Sequence, residues 1–385
     1  MLRNRNASQA DNVANQNLKS GHPVKRQICD GVDPNPKRAA LNDLTSAVSN
    51  FRIDSKKPSL LKEPTKIVKR VIATSKSRTI PKPESVDPCP GFDFDKQNAG
   101  ELSSVSVYAV NIFNYYKQRE AKFKIADHSR RHPNLTKEMR ADVIDWIIEL
   151  QQTCALNHET LYLAIKLLDS FLHRTKDSLK REHLFLAALS AVLIAAKYDE
   201  LPDRVPLIDD LLYVAEDKFK RADVLAMERK MFKTVGFDIG MPLSYRFLRR
   251  FARAAQVSME TLTLARYFLE TSLLFVEFVG VSESLMAAAA FLLALRMEKA
   301  GDWTPAMQKY SGYKTEHIEP LMWCLNHMMH ARPTVYPRFQ TVFVKYSDKN
   351  FFNVASIPFL TGGKAASDPV GPPSPPTAAA AALRK

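Results

Sequence analysis

The sequence predicts an all-α fold: two tandem five-helix bundles preceded by an N-terminal helix and flanked by disordered tails. Three observations predict it. Between about residues 100 and 335 glycine is scarce, and segments with helical apolar spacing follow one another across short polar breaks, without strand-type alternation. Two of these segments, about 100 residues apart, are apolar all round and rich in alanine. Outside this region Asn, Lys, Ser and Pro dominate, and the apolar residues follow no period.

Residues 1–95 read as a tail. Residues 1–85 hold 17 Lys and Arg against 7 Asp and Glu, so they carry +10 of the chain's +14, and the rest is nearly neutral. Prolines 23, 34, 36, 58, 64, 81, 83, 88 and 90 interrupt regular structure there. Residues 96–136 hold one helix, near 104–119, and a linker. The first bundle, 137–238, is predicted as helices near 137–154, 158–173, 181–198, 204–215 and 220–235. The second, 239–335, is predicted as helices near 241–255, 259–277, 282–298, 304–311 and 316–330. Thr304-Pro305 places a capping hydroxyl before a proline at the first helical position. Ser282-Glu283 and Thr136-Lys137-Glu138 offer a cap with acid in the first turn. The third helix of each set is the most apolar, over 183–196 and 284–296. A helix apolar all round is enclosed by other helices, so each bundle wraps on its own third helix. One irregular helical domain without duplication is the alternative. Residues 336–361 form a C-terminal extension, and 362–385 a second disordered tail rich in Pro and Ala.

Composition narrows the function. At 45% hydrophobic and 25% charged residues, the 385-residue chain has material for a sizeable core. The cysteines at 29, 89, 154 and 324 form no Cys-x-x-Cys pair, which fits a reducing compartment and neither a zinc ribbon nor a disulfide scaffold. The N-terminus has no apolar core of a signal peptide. The longest apolar run, near 184–196, is shorter than the roughly 18–20 residues of a membrane span. There is no Gly-rich phosphate loop, no His-Glu-x-x-His and no Gly-x-Ser-x-Gly. The reading is a non-catalytic module that binds another protein, with no cofactor, no metal, no membrane and no direct nucleic-acid contact.

Several segments then match a family. Met139-Arg-Ala-Asp-Val-Ile-Asp-Trp-Ile-Ile-Glu149 resembles the opening helix of the cyclin box. Glu159-Thr-Leu-Tyr-Leu-Ala-Ile, Leu168-Asp-Ser-Phe-Leu172, Ala195-Ala-Lys-Tyr-Asp-Glu200, Met227-Glu228 and Phe237-Asp238 follow in order. The second half matches at Phe247-Leu-Arg-Arg-Phe251, Leu264-Ala-Arg-Tyr-Phe-Leu-Glu270 and Tyr310-Ser-Gly-Tyr313. The resemblance covers roughly 100–358, and within cyclins it is to the mitotic B type, its third subclass. It implies two cyclin boxes and a regulatory subunit that binds and activates a mitotic cyclin-dependent kinase. The catalysis would be the kinase's, with the cyclin holding the kinase's active arrangement.

The resemblance also assigns residues. Lys197 and Glu228 match a pair that faces the kinase, with Tyr198 adding aromatic contact. On its own, Lys197 reads as a charge ending a buried helix. Tyr108, Ile112 and Tyr115 form one stripe of the helix before the first box, either packed on the bundle or, as the family implies, against the kinase. By helical angle, Met139, Val143 and Trp146 share a strip that borders Asp142, Asp145 and Glu149. With Leu184 they match a docking groove for Arg-x-Leu substrates, although Asp142 replaces an apolar residue and Phe185 stands where Gln is common. A patch kept only for packing is the other reading. Arg140 and Asp169 match an internal ion pair. In the tail, Arg38, Leu41 and Leu44 of Arg38-Ala-Ala-Leu-Asn-Asp-Leu-Thr45 resemble a destruction box read by the anaphase-promoting complex. Basic pairs at Lys25-Arg26, Lys37-Arg38, Lys56-Lys57 and Lys69-Arg70 suggest nuclear import, with a cytoplasmic pool, or a merely solvating pattern. The rival classes are a nucleic-acid-binding helical module, which would put basic residues on the folded core, and a scaffold without a kinase.

Overall fold

The computed structural model describes residues 87–101, 104–126, 131–177 and 179–361. Arg38, Leu41, Leu44, the basic pairs and the C-terminal tail lie outside them. Among the described residues there are thirteen α-helices and no strand. α1 (Phe94–Gln97) and α2 (Ser106–Glu120) come first. α3 (Lys137–Thr153), α4 (His158–Arg174), α5 (Arg181–Asp199), α6 (Ile208–Val214) and α7 (Arg221–Val235) make the first bundle. α8 (Ser244–Ala255), α9 (Met259–Ser272), α10 (Glu283–Met297), α11 (Pro305–Ser311) and α12 (Thr315–Val335) make the second. α13 (Thr341–Tyr346) and two 3-10 turns, Lys349–Phe351 and Val354–Ser356, form the extension.

The repeat is visible in the packing. α5 lies against α3, α4 and α7, and α10 lies against α8, α9 and α12 in the same relation. α5 is buried without a break from Ala187 to Ala196, and α10 from Met286 to Leu295. Ala187, Ala188, Ala191, Ala195, Ala287, Ala288, Ala290 and Ala294 are fully enclosed, so the neighbouring helices approach close to the backbone. Arg140 joins the bundles. Its guanidinium makes a bidentate pair with Asp169 (2.8 and 2.7 Å) and also donates to the carbonyl of Leu273 at the end of α9 (2.9 Å).

Several boundaries differ from the sequence reading; the helix predicted over 316–330, for one, runs on to Val335, and the helix predicted from 241 begins at Ser244. Residues 87–95, assigned to the tail, pack on the second bundle; their contacts reach residues more than 150 positions away, which no local period records. The helix predicted over 259–277 stops at Ser272, because Arg140 takes the Leu273 carbonyl that another turn would need. The helix predicted from 204 begins at Ile208, since Pro206 holds Val205 out of the helical region.

Candidate functional site

α5 leaves the core at its last turn. Ala196 is fully enclosed, while Lys197 and Tyr198 are exposed. Lys197 Nζ donates to Glu228 Oε1 on α7 at 2.5 Å, with 46% of the lysine side chain and 12% of the glutamate exposed. An ion pair this open to water contributes about 0–1 kcal/mol, so fold stability alone does not account for it.

Exposed apolar side chains follow each member of the pair along the chain. Tyr198 and Leu201 follow Lys197 on the chain. Phe237, 68% exposed, comes just after α7, where Gly236 (φ 90°) ends the helix in the left-handed region. Phe237 itself has φ 61° and stacks on Phe232 at 5.8 Å. A bulky residue held in that region and turned to solvent is a strained conformation of the kind that binding surfaces keep. Sequence reasoning missed Leu201 and Phe237 as site residues; a Gly followed by a large apolar residue at a helix end was the available signal.

α2 borders the same surface. Ala109, Phe113 and Tyr116 face inward, with Phe113 5.8 Å from Phe247 and the Tyr116 hydroxyl accepting from Arg246 at 2.8 Å. Tyr108, Ile112 and Tyr115 are exposed, as are Val107 and Val110. Arg119 joins α2 to the first bundle: it donates to Tyr115 Oη (2.8 Å) and the Gly240 carbonyl (3.1 Å), and pairs with Asp238. Lys122 also reaches Asp238, at 2.5 Å. The hydrogen bond from Lys122 foremost, then that from Arg119, holds the Asp238 carboxyl below its usual range. A Cβ at Gly240 would lie 3.4 Å from Tyr198 Oη and 3.5 Å from Arg119, ordinary contact distances, so the tips of both side chains come to this one position. Lys197, Glu228, Tyr198, Tyr115 and Phe237 thus belong to one neighbourhood, and Tyr108 and Ile112 continue it along α2.

The second predicted patch is only partly at the surface. Met139 and Trp146 are half-buried and Glu149 is exposed, but Val143 and Leu184 are 0% exposed and belong to the core. Helical angle placed Val143 beside Met139 without showing which neighbours cover it. Phe185 packs its ring on Trp146 at 5.5 Å. The acidic strip is largely engaged. Asp142 pairs with Arg181 at 2.9 Å, and Asp145 accepts from the Thr341 hydroxyl (2.7 Å) and amide (3.3 Å) of the extension. Burial raises the Asp145 pKa despite these bonds. Arg140 and Asp169 are internal, as the sequence reading has them.

Among the described residues there is no cluster of three or more metal-ligating side chains, and no helix is long and apolar enough to cross a membrane. A cavity of about 60 Å³ between the bundles, lined by Arg140, Tyr162, Lys166, Asp169 and Glu283, is far below the roughly 300–1,000 Å³ of small-molecule sites.

Known proteins share this architecture. Residues 111–240 match the family described as Cyclin, N-terminal domain, and residues 242–360 match Cyclin, C-terminal domain. The chain is 43% identical over 376 residues to the G2/mitotic-specific cyclin-B3 of Caenorhabditis elegans, covering 92% of this chain and 94% of that protein. It is 38% identical over 371 residues to the G2/mitotic-specific cyclin-B3 of Drosophila melanogaster, of whose length it spans 63%. The solved structure of a viral cyclin from herpesvirus saimiri superposes with a TM-score of 0.50 at 18% identity, over 56% of this chain and 97% of that one, which supports the fold. The paired bundles, the two domain matches and these relatives agree: the chain belongs to the cyclin family, among the mitotic B-type cyclins of the B3 subclass.

Proposed function

We propose that this chain is the regulatory subunit of a mitotic cyclin-dependent Ser/Thr protein kinase, which it binds and activates to drive the onset and progress of mitosis and meiosis. It supplies no catalytic group; the phosphoryl-transfer machinery is the kinase's, and the cyclin shifts the kinase toward its active arrangement. The observation that carries the reading is the water-open Lys197–Glu228 pair set among exposed Tyr198, Leu201, Phe237 and the outer face of α2. Aromatic anchors around a charged pair are what a specific protein interface uses: the aromatic residues give affinity, and the pair, desolvated under the partner, fixes register.

Lys197→Glu combined with Glu228→Lys tests it. The pair survives the exchange with its polarity reversed, so the melting temperature is expected to stay near that of the wild type. The charges facing the partner are reversed, so kinase binding is expected to fall by about 100-fold or more. Full-strength binding by a folded double variant would remove these residues from the interface.

We further propose that Arg38, Leu41 and Leu44 form a degron through which the anaphase-promoting complex directs ubiquitin-dependent destruction at anaphase, and that the chain works in the nucleus. Support comes from the motif and the basic pairs of the first 85 residues. A fluorescent fusion followed through division tests both: Arg38→Ala with Leu41→Ala is expected to keep the signal past anaphase. Turnover unchanged in the variant, or a fusion confined to the cytoplasm, contradicts the corresponding half.

A further inference from the structure

We infer that Arg250 and the strap of residues 87–101 position α2 for its partner, so that the second bundle sets the strength of the interface made by α2. This rests on the proposed kinase-binding role of the α2 face.

α2 is anchored unevenly. Its C-terminal half is tied down by Phe113 on Phe247, Tyr116 on Arg246, Lys117 on the Ser311 carbonyl and Glu120 on the Ser284 amide (2.6 Å). Its N-terminal half carries the exposed Val107, Tyr108, Val110 and Ile112, and Ala109 is its one buried residue. The first turn has no side-chain cap and no acid to favour it. The residue before it, Val105, has φ 46°, a region a β-branched side chain adopts only when its surroundings hold it there. Left to itself this half would fray.

The strap supplies what α2 lacks. Asp95 accepts from both terminal nitrogens of Arg250, and both residues are buried. The same guanidinium lies over Phe94 of α1 (5.6 Å), Tyr310 of α11 (4.9 Å) and Phe113 of α2 (5.4 Å), so one side chain of α8 touches strap, second bundle and α2 together. The Phe94 amide donates to the Tyr310 hydroxyl at 2.7 Å. Lys309 donates to Asp87 (2.6 Å) and the Phe92 carbonyl (2.8 Å), and Arg253 to Glu101 (2.6 Å) and Ser104 (2.8 Å). The strap then reaches α2 directly, with Ser106 Oγ donating to the Asn98 carbonyl at 3.0 Å. Asp95 sits on a short peripheral segment. If its pair is broken it can swing out to water, so the loss falls on the strap and the start of α2 and not on the two cores.

The test uses the full chain with Asp95→Arg, Arg250→Asp and the two combined. Amide hydrogen exchange over 106–116 and affinity for the kinase are measured together. In Asp95→Arg, exchange at the start of α2 is expected to quicken, and kinase affinity to fall, each by about tenfold, with α5 and α10 unchanged. The combined variant restores the pair and is expected to recover most of both. Unchanged exchange in Asp95→Arg overturns the inference, and so does faster exchange with undiminished affinity. A wild-type chain that binds no kinase sinks the proposed function instead, and the exchange data still decide whether the strap holds α2.

Discussion

Lys345 lies in the extension, yet its ammonium is the most enclosed cation among the described ion pairs. It donates to Glu270 at 2.5 Å and to Gln151 Oε1 at 3.0 Å, and the Tyr346 hydroxyl donates to the other oxygen of Glu270 at 2.6 Å. Burial pushes the Glu270 pKa up, but the charge of Lys345 and the hydrogen bonds from Lys345 and Tyr346 outweigh it and hold the group ionised, below its usual value. Lys345→Ala therefore strands a buried carboxylate and is expected to lower stability by about 3–5 kcal/mol in chemical denaturation. Pairing Lys345→Met with Glu270→Gln removes the orphan charge and keeps an acceptor for Tyr346, so the double variant is expected to be the more stable of the two. A loss below about 1 kcal/mol for Lys345→Ala would contradict the assignment. Such a pair is not legible in the sequence. Val342-Phe-Val-Lys-Tyr346 reads as a short apolar run with one charge, and nothing local says that the charge faces inward across to α9 and α3. Lys197 was legible, because a lysine that interrupts a long apolar helix at its end has to come out somewhere.

At the scale of helices, local signals located most elements, since periodicity and caps lie within a few residues of what they specify. Thr136 accepts from the Met139 amide at 3.1 Å and Thr304 from the Met307 amide at 3.2 Å, as their positions imply. Ser282 occupies the cap position of α10 but makes no capping bond. That task falls to Glu120 at the end of α2, which accepts from the Ser284 amide and hydroxyl. α4 and α8 are served in the same way. Glu200 accepts from the Asn157 amide (2.6 Å), its side-chain nitrogen (2.8 Å) and the Thr160 hydroxyl (2.6 Å). Glu283 accepts from the Ser244 amide at 3.0 Å. Three helix starts are thus completed by glutamates 43, 39 and 164 residues away. No sequence window contains both partners, which is why the existence of each helix could be read and the way the helices lock together could not. α1 was missed for the same reason: four residues carry no period, and what orders them is Arg250 and Tyr310.

Over the whole molecule, the first bundle, the second bundle and the extension meet at His158. Its Nε2 accepts from Arg266 of α9 at 2.9 Å, which leaves the proton on Nδ1, 4.0 Å from Glu270. Its ring lies 5.3 Å from Tyr245 of α8, and Tyr162 of α4 stacks on that tyrosine at 5.8 Å. Burial lowers the His158 pKa to about 3; Glu270 acts the other way, while Arg266, Lys345 and Arg249 add to the lowering. The sign follows from the two states. Between about 3 and the ordinary 6.5, the unfolded chain binds a proton at this residue and the folded chain does not. Its contribution is therefore fully present above pH 6.5 and is lost as the pH falls through that window, by up to about 1.4 kcal/mol per pH unit. Glu270, whose folded pKa is depressed, adds a further loss only at the acid end, below its ordinary value of 4.5. Folding stability is thus expected to be flat in this respect near neutrality and to fall from about pH 6 downward. His158→Gln cannot titrate, so its stability curve should be shallower than that of the wild type between pH 6 and pH 5, although the variant starts from a lower value at pH 7. Denaturant midpoints at half-unit steps of pH measure it. Parallel curves for the two proteins would mean that the junction takes up no proton, and that the acid sensitivity of the three-part assembly lies elsewhere.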